Sequence, residues 1–385
     1  MTMTMTTQAA RPASSPPETR HGLLDIAGAS AFLRTAGFQQ GPDDVFVPAA
    51  LIKQYGLRRG DEIGGTARAP GEGRAREKSG VLTRVATVNG RPGDARARPV
   101  FDDLTPLYPD QRILLETGSA SPTARIIDLI SPIGRGQRGL IVSPPKAGKT
   151  MLLKEIAVAV TAGQPDVHLM MVLVGERPEE VTDIRRSVRG EVVFSTFDHS
   201  AHDHIAVAEL AIERAKRLVE QGRDVVVLLD SITRLARAYN LIAPAASRIL
   251  AGGVAASALQ PPRAFLGAAR NIEHGGSLTI ISTALIDTGS RMDDVFFEEF
   301  KGTGNMELRL RRDLAEKRLF PAIDTAASGT RRDELLMTPR ELAATGTLRR
   351  GLSGLDAPAA LEVLLDRIGS TSSNAEFLLR QGPAR

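Results

Sequence analysis

The stretch Gly139-Leu140-Ile141-Val142-Ser143-Pro144-Pro145-Lys146-Ala147-Gly148-Lys149-Thr150 decides the fold, because it joins an apolar run to a loop rich in glycine and lysine. Residues 139–142 predict a buried strand, and the apolar residues from Met151 onward predict a helix. Scored strictly, the phosphate-loop pattern G-x-x-x-x-G-K-[ST] fails, since Ser143 occupies its first glycine position. The order of strand, loop and helix nevertheless predicts a backbone N–H cradle for phosphate, with Lys149 on the β and γ phosphates.

Two acidic residues end other apolar runs. Asp230 follows 224–229, at the carboxyl end of a strand where open α/β sheets bind ligands, and we predict that it and the Thr150 hydroxyl hold Mg²⁺. Glu176 stands in Val174-Gly175-Glu176-Arg177-Pro178, where a carboxylate can polarise an attacking water, so we interpret it as the general base. The structural alternatives are a helix cap for Asp230 and an ion pair with Arg177 for Glu176.

Short apolar runs alternate with helical patterns over the rest of this region. The predicted strands are 139–142, 168–174, 192–195, 225–229 and 278–282. Continuous Val, Ile and Leu are typical of parallel strands buried on both faces. An apolar stripe over 205–219 that ends at Gly222 predicts an amphipathic helix. The pattern as a whole predicts the α/β class, with a mainly parallel sheet and crossover helices.

The N-terminal part has short apolar stretches separated by turn residues, which predicts a small β-barrel or sandwich. The first residues lack apolar periodicity and predict a disordered tail. The predicted domains are a tail at 1–20, a barrel at 21–103, a linker at 104–124 and the α/β domain at 125–385.

Composition excludes several classes of protein. The 385 residues allow two or three domains, and 42% hydrophobic with 24% charged residues exclude wholesale disorder. The absence of Cys excludes disulfides, thiolate metal sites and Cys nucleophiles. No apolar run approaches the roughly 20 residues of a membrane span, so we predict a cytoplasmic protein with no membrane partner. The net charge is +4, but Arg58 to Arg98 holds ten basic residues against five acids, which is typical either of a polyanion-binding module or of a solvated basic face.

Longer strings resemble the Rho family of bacterial transcription termination factors, from about His21 to the C-terminus. They are the stretches 131–139, 144–150, 230–240, 267–271, 283–290 and 300–307. The resemblance implies an OB-fold barrel followed by a RecA-like P-loop domain, and an RNA-dependent ATPase that uses ATP and Mg²⁺. It further implies a homohexameric ring that translocates 5′ to 3′ on nascent single-stranded RNA, unwinds RNA–DNA hybrids as a helicase, and releases transcripts from RNA polymerase with elongation factors as further partners.

The resemblance also implies site residues. The catalytic ones are Glu176, Lys149 and Arg331, the last as an arginine finger for the neighbouring subunit's ATP. Those bordering ATP are Gly134, Arg135, Gly136, Gln137, Arg138, Gly139, Lys146, Ala147, Gly148, Lys149, Thr150, Met151, Arg177 and Phe320, with Met151 and Phe320 flanking the adenine. Those gripping RNA in the ring's pore are Arg248, Ile249, Leu250, Ala251, Gly252, Gly253, Thr288, Gly289, Ser290 and Arg291, with Lys317 nearby.

A primary RNA site on the barrel is implied at Phe32, Arg34, Asp44 and Phe46. Two aromatic residues usual in the family are missing, since Ser30 stands where one is expected and 74–80 contains none. Because each stacked base contributes about 1–3 kcal/mol, this departure weakens base reading. Basic side chains compensate by charge, which makes binding more sensitive to salt. They are Arg58, Arg59, Arg74, Arg76 and Lys78.

Two alternatives remain open. A rotary ATP synthase or secretion ATPase subunit shares the ring, the phosphate loop and a Gly-Glu-Arg like that of 175–177, but it would not need the basic barrel or the strings around Arg248 and Arg291. A non-catalytic RNA-binding paralogue would keep the fold, but it would not need Glu176, Asp230, Lys149 and Arg331 together.

Overall fold

The computed structural model describes residues 18–69, 79–93, 98–117 and 121–380. The chain forms two compact units, Met1–Arg96 and Ala97–Arg385. Most of the predicted tail, and the basic residues Arg74, Arg76 and Lys78, lie outside the described residues. In the described ranges, no helix has both the length and the apolar character that a membrane crossing requires.

The N-terminal unit is a small closed barrel, as predicted. Its elements are β1 (Glu18–Ala27), β2 (Ser30–Arg34), β3 (Val45–Phe46), α1 (Ala49–Tyr55), β4 (Glu62–Arg68), β5 (Val81–Val88) and β6 (Arg91–Pro92). The strand order is β3-β2-β1-β4-β5-β6, and β3 also pairs in parallel with β5, which closes the barrel in the manner of an OB-fold. Glu18–Arg20 were expected in the tail, but they pair with Gly65–Ala67 of β4 and belong to the sheet.

Alternation of apolar and polar residues explains how these strands fill the barrel. Leu24, Leu33, Ile63 and Leu82 are fully buried and come from four different strands. Side chains of a strand alternate between its two faces, so the intervening residues reach the surface. The surface of β2 therefore carries a half-buried aromatic side chain at Phe32.

The C-terminal unit contains eleven strands and eleven helices among the described residues. Its strands are β7 (Pro106–Leu107), β8 (Arg112–Ile113), β9 (Ile133–Gly134), β10 (Arg138–Ser143), β11 (His168–Glu176), β12 (Glu191–Thr196), β13 (Asp224–Asp230), β14 (Arg270–Ile272), β15 (Ser277–Leu285), β16 (Met306–Arg309) and β17 (Gly329–Thr330). Its helices are α2 (Pro122–Ile130), α3 (Lys149–Gly163), α4 (Pro178–Ser187), α5 (Ala201–Val219), α6 (Ile232–Leu241), α7 (Gln260–Gly267), α8 (Arg291–Lys301), α9 (Arg312–Glu316), α10 (Pro339–Leu352), α11 (Ala357–Gly369) and α12 (Asn374–Arg380).

The main sheet has the order β12-β11-β13-β15-β10-β16-β17, and its first six strands are mutually parallel. The edge strand β17 is antiparallel. All five strands predicted from apolar runs are present, each extended at one or both ends, and the predicted helix is α5. The α/β class is therefore confirmed.

The segment expected to be a linker, 104–124, differs from the prediction. β7 pairs with β14 and β8 pairs with β9, so both strands belong to the C-terminal unit. Their two-residue length explains why no apolar periodicity revealed them. The boundary between the units lies at Arg96 and Ala97, before the predicted end of the barrel at 103.

The parallel sheet brings three chain positions to one edge. β10, β11 and β13 end at Ser143, Glu176 and Asp230, and parallel strands present their carboxyl ends on the same side. This carboxyl edge carries the phosphate loop and both acidic residues singled out from the sequence.

Candidate nucleotide-binding and nucleic-acid-binding sites

The phosphate loop begins where β10 ends. Ser143 is fully buried, and its hydroxyl donates to the Pro144 carbonyl at 2.9 Å, so serine is accommodated as the last strand residue. Lys146 and Gly148 have φ values of 67° and 91°. Alternating left- and right-handed residues turn successive N–H groups toward one point, which is the geometry of an anion cradle. Gly148 is the N-cap of α3, so the cradle meets the positive end of that helix.

Lys149 lies between the two acidic residues of the carboxyl edge. Its Nζ is 2.7 and 2.8 Å from the two carboxylate oxygens of Asp230 and 3.0 Å from Glu176 Oε1. Burial opposes the charged form of Lys149, but the carboxylates of Asp230 and Glu176 outweigh it and raise the pKa. The ammonium group is therefore charged and held at the mouth of the cradle.

A β-bulge presents Glu176. The pairing register of β11 with β12 shifts between Val174 and Glu176, and Gly175 between them has a φ of 65°. Glu176 is 2% exposed, and burial followed by the charge of Asp230 raises the pKa of its carboxyl group. A carboxylate of raised pKa that faces a charged lysine suits proton abstraction near neutral pH.

The alternative ion pair between Glu176 and Arg177 is not formed. Arg234 of α6 contacts Glu176 instead, with its Nη2 3.5 Å from Oε1. Arg177 is two-thirds exposed and reaches Glu180 at 3.7 Å. Arg177 is therefore exposed and not paired with Glu176, and its contact with phosphate stays a prediction.

Oxygen donors for a divalent cation are present beside Lys149. Thr150 Oγ1 is 3.4 Å from Asp230 Oδ2, and the Thr283 hydroxyl donates to Asp230 Oδ1 at 2.7 Å. A hydroxyl and a carboxylate at this spacing form the hard donor set that Mg²⁺ prefers, so these residues fit the ion. The helix cap considered for Asp230 is provided by Ser231, whose side chain accepts from the Arg234 N–H.

A pocket of about 230 Å³ adjoins the phosphate loop. Met151 and Phe320 both line it and are 66% and 46% exposed. Ala147, Gly148 and Leu152 complete the wall beside the loop. An apolar pocket next to a phosphate cradle is typical of a nucleobase site, and the placement of adenine between Met151 and Phe320 stays a prediction.

The stretch Gly134–Gly139, expected to border the same ATP, lies elsewhere. It enters β10 at the amino end, whereas the phosphate loop leaves at the carboxyl end, and six strand residues span about 20 Å. Gly136 donates to Thr279 Oγ1 at 2.8 Å. A Cβ on Gly136 would come within 2.1 Å of the Asn271 nitrogen, so this turn needs glycine for packing. Within one chain the two stretches therefore lie at opposite ends of β10, and the role of 134–139 at ATP stays a prediction.

The amino end of the sheet instead gathers arginines. Burial lowers the pKa of Arg138, and the charges of Arg270 and Arg331 lower it further. Asn305 organises this group, since its side chain accepts from the Arg138 N–H at 2.9 Å and its carbonyl accepts from the Arg331 N–H at 2.9 Å. The predicted arginine finger thus lies with Gln137 and Arg138, which share Asn305, and not with Lys149 of its own chain.

The two predicted pore loops touch each other. The first is a hairpin closed by the bridge between Ile249 and Ala255, with Ile249 exposed. In the second, Thr288 and Gly289 lead to Ser290, the N-cap of α8. A Cβ on Gly252 would lie 2.7 Å from the Arg291 carbonyl oxygen, so glycine permits the close contact. The chain therefore brings both loops to one surface.

Lys317 is the C-cap of α9, and its backbone N–H donates to the Asp313 carbonyl. Among the described residues, no hydrogen bond or ion pair joins its side chain to either loop. The place of Lys317 near the RNA-gripping loops stays a prediction.

Two residues of the predicted primary RNA site are partly exposed, and the other two are buried. The rings of Phe32 and Phe46 form an edge-to-face pair with centroids 5.8 Å apart, and both are partly exposed. Arg34 and Asp44 are 6% and 4% exposed and form an ion pair of 2.5 Å. Arg34 also pairs with Asp25 at 2.6 Å. Direct contacts of Arg34 and Asp44 with RNA are therefore not available at the surface, since both are used in holding β2 and β3 together.

Some residues of these sites escaped the sequence analysis. They are Arg234, Thr283, His204, Asn240, Asp293 and Asn305. Spacing could have found two of them, because Arg234, Arg237 and Asn240 recur every three residues on the helix that follows Asp230. Thr283 and Asn305 are single polar residues in apolar or loop surroundings, for which a sequence pattern offers no signal.

Two family models match the chain. The model for the Rho termination factor, RNA-binding domain, matches residues 20–94. The model for the ATP synthase alpha/beta family, nucleotide-binding domain, matches residues 123–330. The two matches correspond to the barrel and to the main sheet of the two structural units.

Similar curated proteins carry the name transcription termination factor Rho. One from Streptomyces lividans is 62% identical over 360 residues, which cover 93% of this chain and 51% of that protein. One from Streptosporangium roseum is 58% identical over 98% of both chains. The chain thus spans about half the length of the first relative and nearly all of the second.

Solved structures support the fold alone. A prototypical ATPase of the type III secretion system of pathogenic bacteria has a TM-score of 0.62 at 24% identity, over 76% of this chain and 93% of its own. The assembled secretion ATPase EscN of enteropathogenic E. coli has a TM-score of 0.60 at 24% identity, over 76% and 79%.

Proposed function

The chain belongs to the Rho family of transcription termination factors, and on that premise we propose that it hydrolyses ATP in response to RNA and thereby terminates transcription. The Rho family resemblance of the sequence is confirmed by the matched models and relatives. The observation that carries the proposal is the contact of Lys149 with both Glu176 and Asp230 at the mouth of a phosphate cradle.

The residues of the carboxyl edge have different roles in ATP hydrolysis. Backbone N–H groups of the loop and the Lys149 ammonium bind the phosphates and offset charge that develops in the transition state. Glu176 accepts a proton from the attacking water, and its raised pKa is matched to that role. Thr150 and Asp230 would hold Mg²⁺, which supplies further neutralisation of phosphate charge when bound.

The arginine cluster completes the site from another subunit. Arg331, Arg138 and Arg270 are close enough for like charge to lower the pKa of Arg138, so an anion beside them would relieve repulsion. They lie at the opposite end of the sheet from Lys149, so they cannot serve their own nucleotide. In a closed homohexameric ring, this edge of one protomer would meet the phosphates bound by the next, and Arg331 would act as the arginine finger.

RNA would bind at two places. The exposed pair of Phe32 and Phe46 offers stacking platforms for single-stranded bases. The touching loops around Gly252 and Arg291 would line the pore of the ring and grip the phosphate backbone of the RNA. This grip would let ATP hydrolysis drive translocation 5′ to 3′ along the RNA. Translocation would in turn unwind RNA–DNA hybrids and release the transcript from RNA polymerase.

One measurement tests this function against a rotor-coupled ATPase of the same fold. ATP hydrolysis is measured with and without polycytidylate, at two salt concentrations and with polyadenylate for comparison. We expect turnover to rise many-fold with polycytidylate, and less at high salt because the barrel relies on charge. An equal rate of ATP hydrolysis with and without RNA would contradict the proposed RNA-dependent function.

A further inference from the structure

A histidine cluster lies next to the proposed catalytic centre and has no role in the mechanism so far. Three of the six histidines of the chain, His199, His202 and His204, fall within six residues at the start of α5. The buried Ser195 hydroxyl lies 2.6 Å from His204 Nδ1 and 3.3 Å from His199 Nδ1. The described residues include no group of three or more His, Cys, Asp or Glu side chains that could hold a metal ion.

The Nε2 side of the His204 ring and the Arg234 side chain both lie against Gly175. A Cβ built on Gly175 would lie 3.7 Å from His204 Nε2, 3.4 Å from Arg234 Cδ and 3.6 Å from Arg234 Nη1. Both side chains therefore rest on the bare backbone of Gly175, the bulge residue that presents Glu176. The same guanidinium reaches Glu176 through Nη2 at 3.5 Å.

The contact with Ser195 orients the His204 ring. Nδ1 lies 2.6 Å from the Ser195 hydroxyl, so the opposite ring nitrogen, Nε2, is directed toward Gly175. A neutral imidazole has one protonated nitrogen and one acceptor nitrogen, and it carries no charge that would repel the guanidinium of Arg234.

The charges around the ring favour this neutral form. Burial, and next His199, lower the pKa of His204 below its ordinary 6.5. Arg234 on α6 lowers it further, whereas Asp203 on α5 and Asp198 before that helix oppose the shift. At neutral pH the ring is therefore uncharged, and protonation would place a second cation against Arg234.

We propose that His204 is a positioning residue, which confines the Arg234 guanidinium over Gly175 so that it contacts Glu176. The inference rests on the proposed ATPase function. Without the imidazole, Arg234 has free space on the side away from Glu176 and leaves its carboxylate more often. The predicted consequence is a lower kcat with an unchanged KM for ATP, because Glu176 and not the phosphate cradle is affected.

Two substitutions separate the two nitrogens of the ring. His204→Asn keeps a polar atom near Nδ1 for Ser195 but removes the atom that faces Arg234, and we expect kcat to fall about tenfold. His204→Gln reaches the Nε2 position with an amide that cannot titrate, and we expect it to retain most of kcat at neutral pH. His202→Ala, an exposed residue of the same helical turn, is the matched control and should match the wild type.

A double-mutant cycle tests whether His204 acts through Arg234. In an Arg234→Gln background, His204→Asn should lower kcat no further, since the side chain that it positions is gone. On the acid side of the pH profile below about 6.5, His204→Gln should lose less activity than the wild type. A His204→Asn protein with wild-type kcat, additive losses in the cycle, or equal acid limbs would each overturn the inference. A wild type without RNA-stimulated hydrolysis would instead overturn the proposed function.

Discussion

Arg237 of α6 donates hydrogen bonds to both carboxylate oxygens of Asp293, a fully buried residue of α8. The Thr288 hydroxyl donates to the same carboxylate at 2.6 Å, which fixes the second RNA loop. One turn further along α6, the Asn240 side chain contacts the Gly253 carbonyl at 3.3 Å and accepts from the Ala255 N–H at 2.7 Å. A single rigid helix thus connects the catalytic edge with both loops.

We expect Asp293→Asn to separate RNA binding from ATP hydrolysis. An amide cannot hold the guanidinium and the Thr288 hydroxyl as a carboxylate does, because it has one acceptor and no charge. Basal hydrolysis should remain, while stimulation by polycytidylate should fall at least tenfold in a steady-state ATPase assay. Asp294→Asn, its exposed neighbour on α8, is the control, and an equal loss in both variants would contradict the role of the Asp293 contacts.

We expect Glu176→Gln to bind ATP and fail to hydrolyse it. The amide preserves shape and burial but cannot accept the proton of water, so RNA-stimulated kcat should fall by about 10²–10⁴. Affinity for a fluorescent ATP analogue reports binding separately from turnover. Glu179→Gln, an exposed residue at the start of α4, should behave like the wild type, and wild-type turnover of Glu176→Gln would remove the general-base role.

Much of the nucleotide site could be predicted because it is encoded locally. Apolar runs predicted five strands of the main sheet, and the residues that end β10, β11 and β13 predicted the phosphate loop, Glu176 and Asp230. Parallel strands then force these ends together without further information. Here the local sequence and the topology of the sheet predict the same site.

The remainder depended on contacts between residues distant in sequence. The stretch 134–139 precedes the phosphate loop by only a few residues, yet the length of β10 puts the two at opposite ends of the sheet. The family resemblance implied that Arg34 contacts RNA, but its ion pairs with Asp25 and Asp44 bury it. Such pairings are set by the closure of the barrel and have no signature in either segment.

Stacking at the barrel predicts the effect of Phe32→Ala. Loss of the Phe32 ring should weaken the free energy of RNA binding by about 1–3 kcal/mol, which lowers the affinity for an oligocytidylate about 5- to 150-fold. Fluorescence anisotropy measures this affinity. Phe38→Ala removes a half-buried ring of the same unit and serves as the control for loss of an aromatic residue. An unchanged affinity of Phe32→Ala would mean that charge alone binds RNA at the barrel.

A buried carboxyl group predicts how stability depends on pH. Burial raises the pKa of Asp128 from 3.8 to about 6, against the charge of Arg112 and two backbone N–H donors. Since the folded state binds this proton more tightly than the unfolded state, its contribution to stability is present at low pH and is lost as pH rises through about 6. Between about pH 4.5 and 7.5, the wild type should lose about 2 kcal/mol relative to Asp128→Asn in urea unfolding. Asp166→Asn, at an exposed acid, should show no such difference, and a pH-independent gap between wild type and Asp128→Asn would contradict the burial effect.

Mixing two inactive variants tests the separation between Lys149 and Arg331. Arg331→Ala keeps its own Glu176, and Glu176→Gln keeps its own Arg331, so each alone assembles rings in which every site lacks one group. If Arg331 serves the neighbouring subunit, some interfaces in a mixed ring unite an intact Glu176 with an intact Arg331, and RNA-stimulated hydrolysis reappears. If Arg331 served its own nucleotide, every subunit would stay defective in any mixture. We expect activity to peak at roughly equal proportions and to approach about a quarter of the wild type, since about a quarter of the interfaces are then complete. A mixture that remains inactive, although exchange of subunits is shown by energy transfer between labelled protomers, would refute the assignment of Arg331 to the adjacent site.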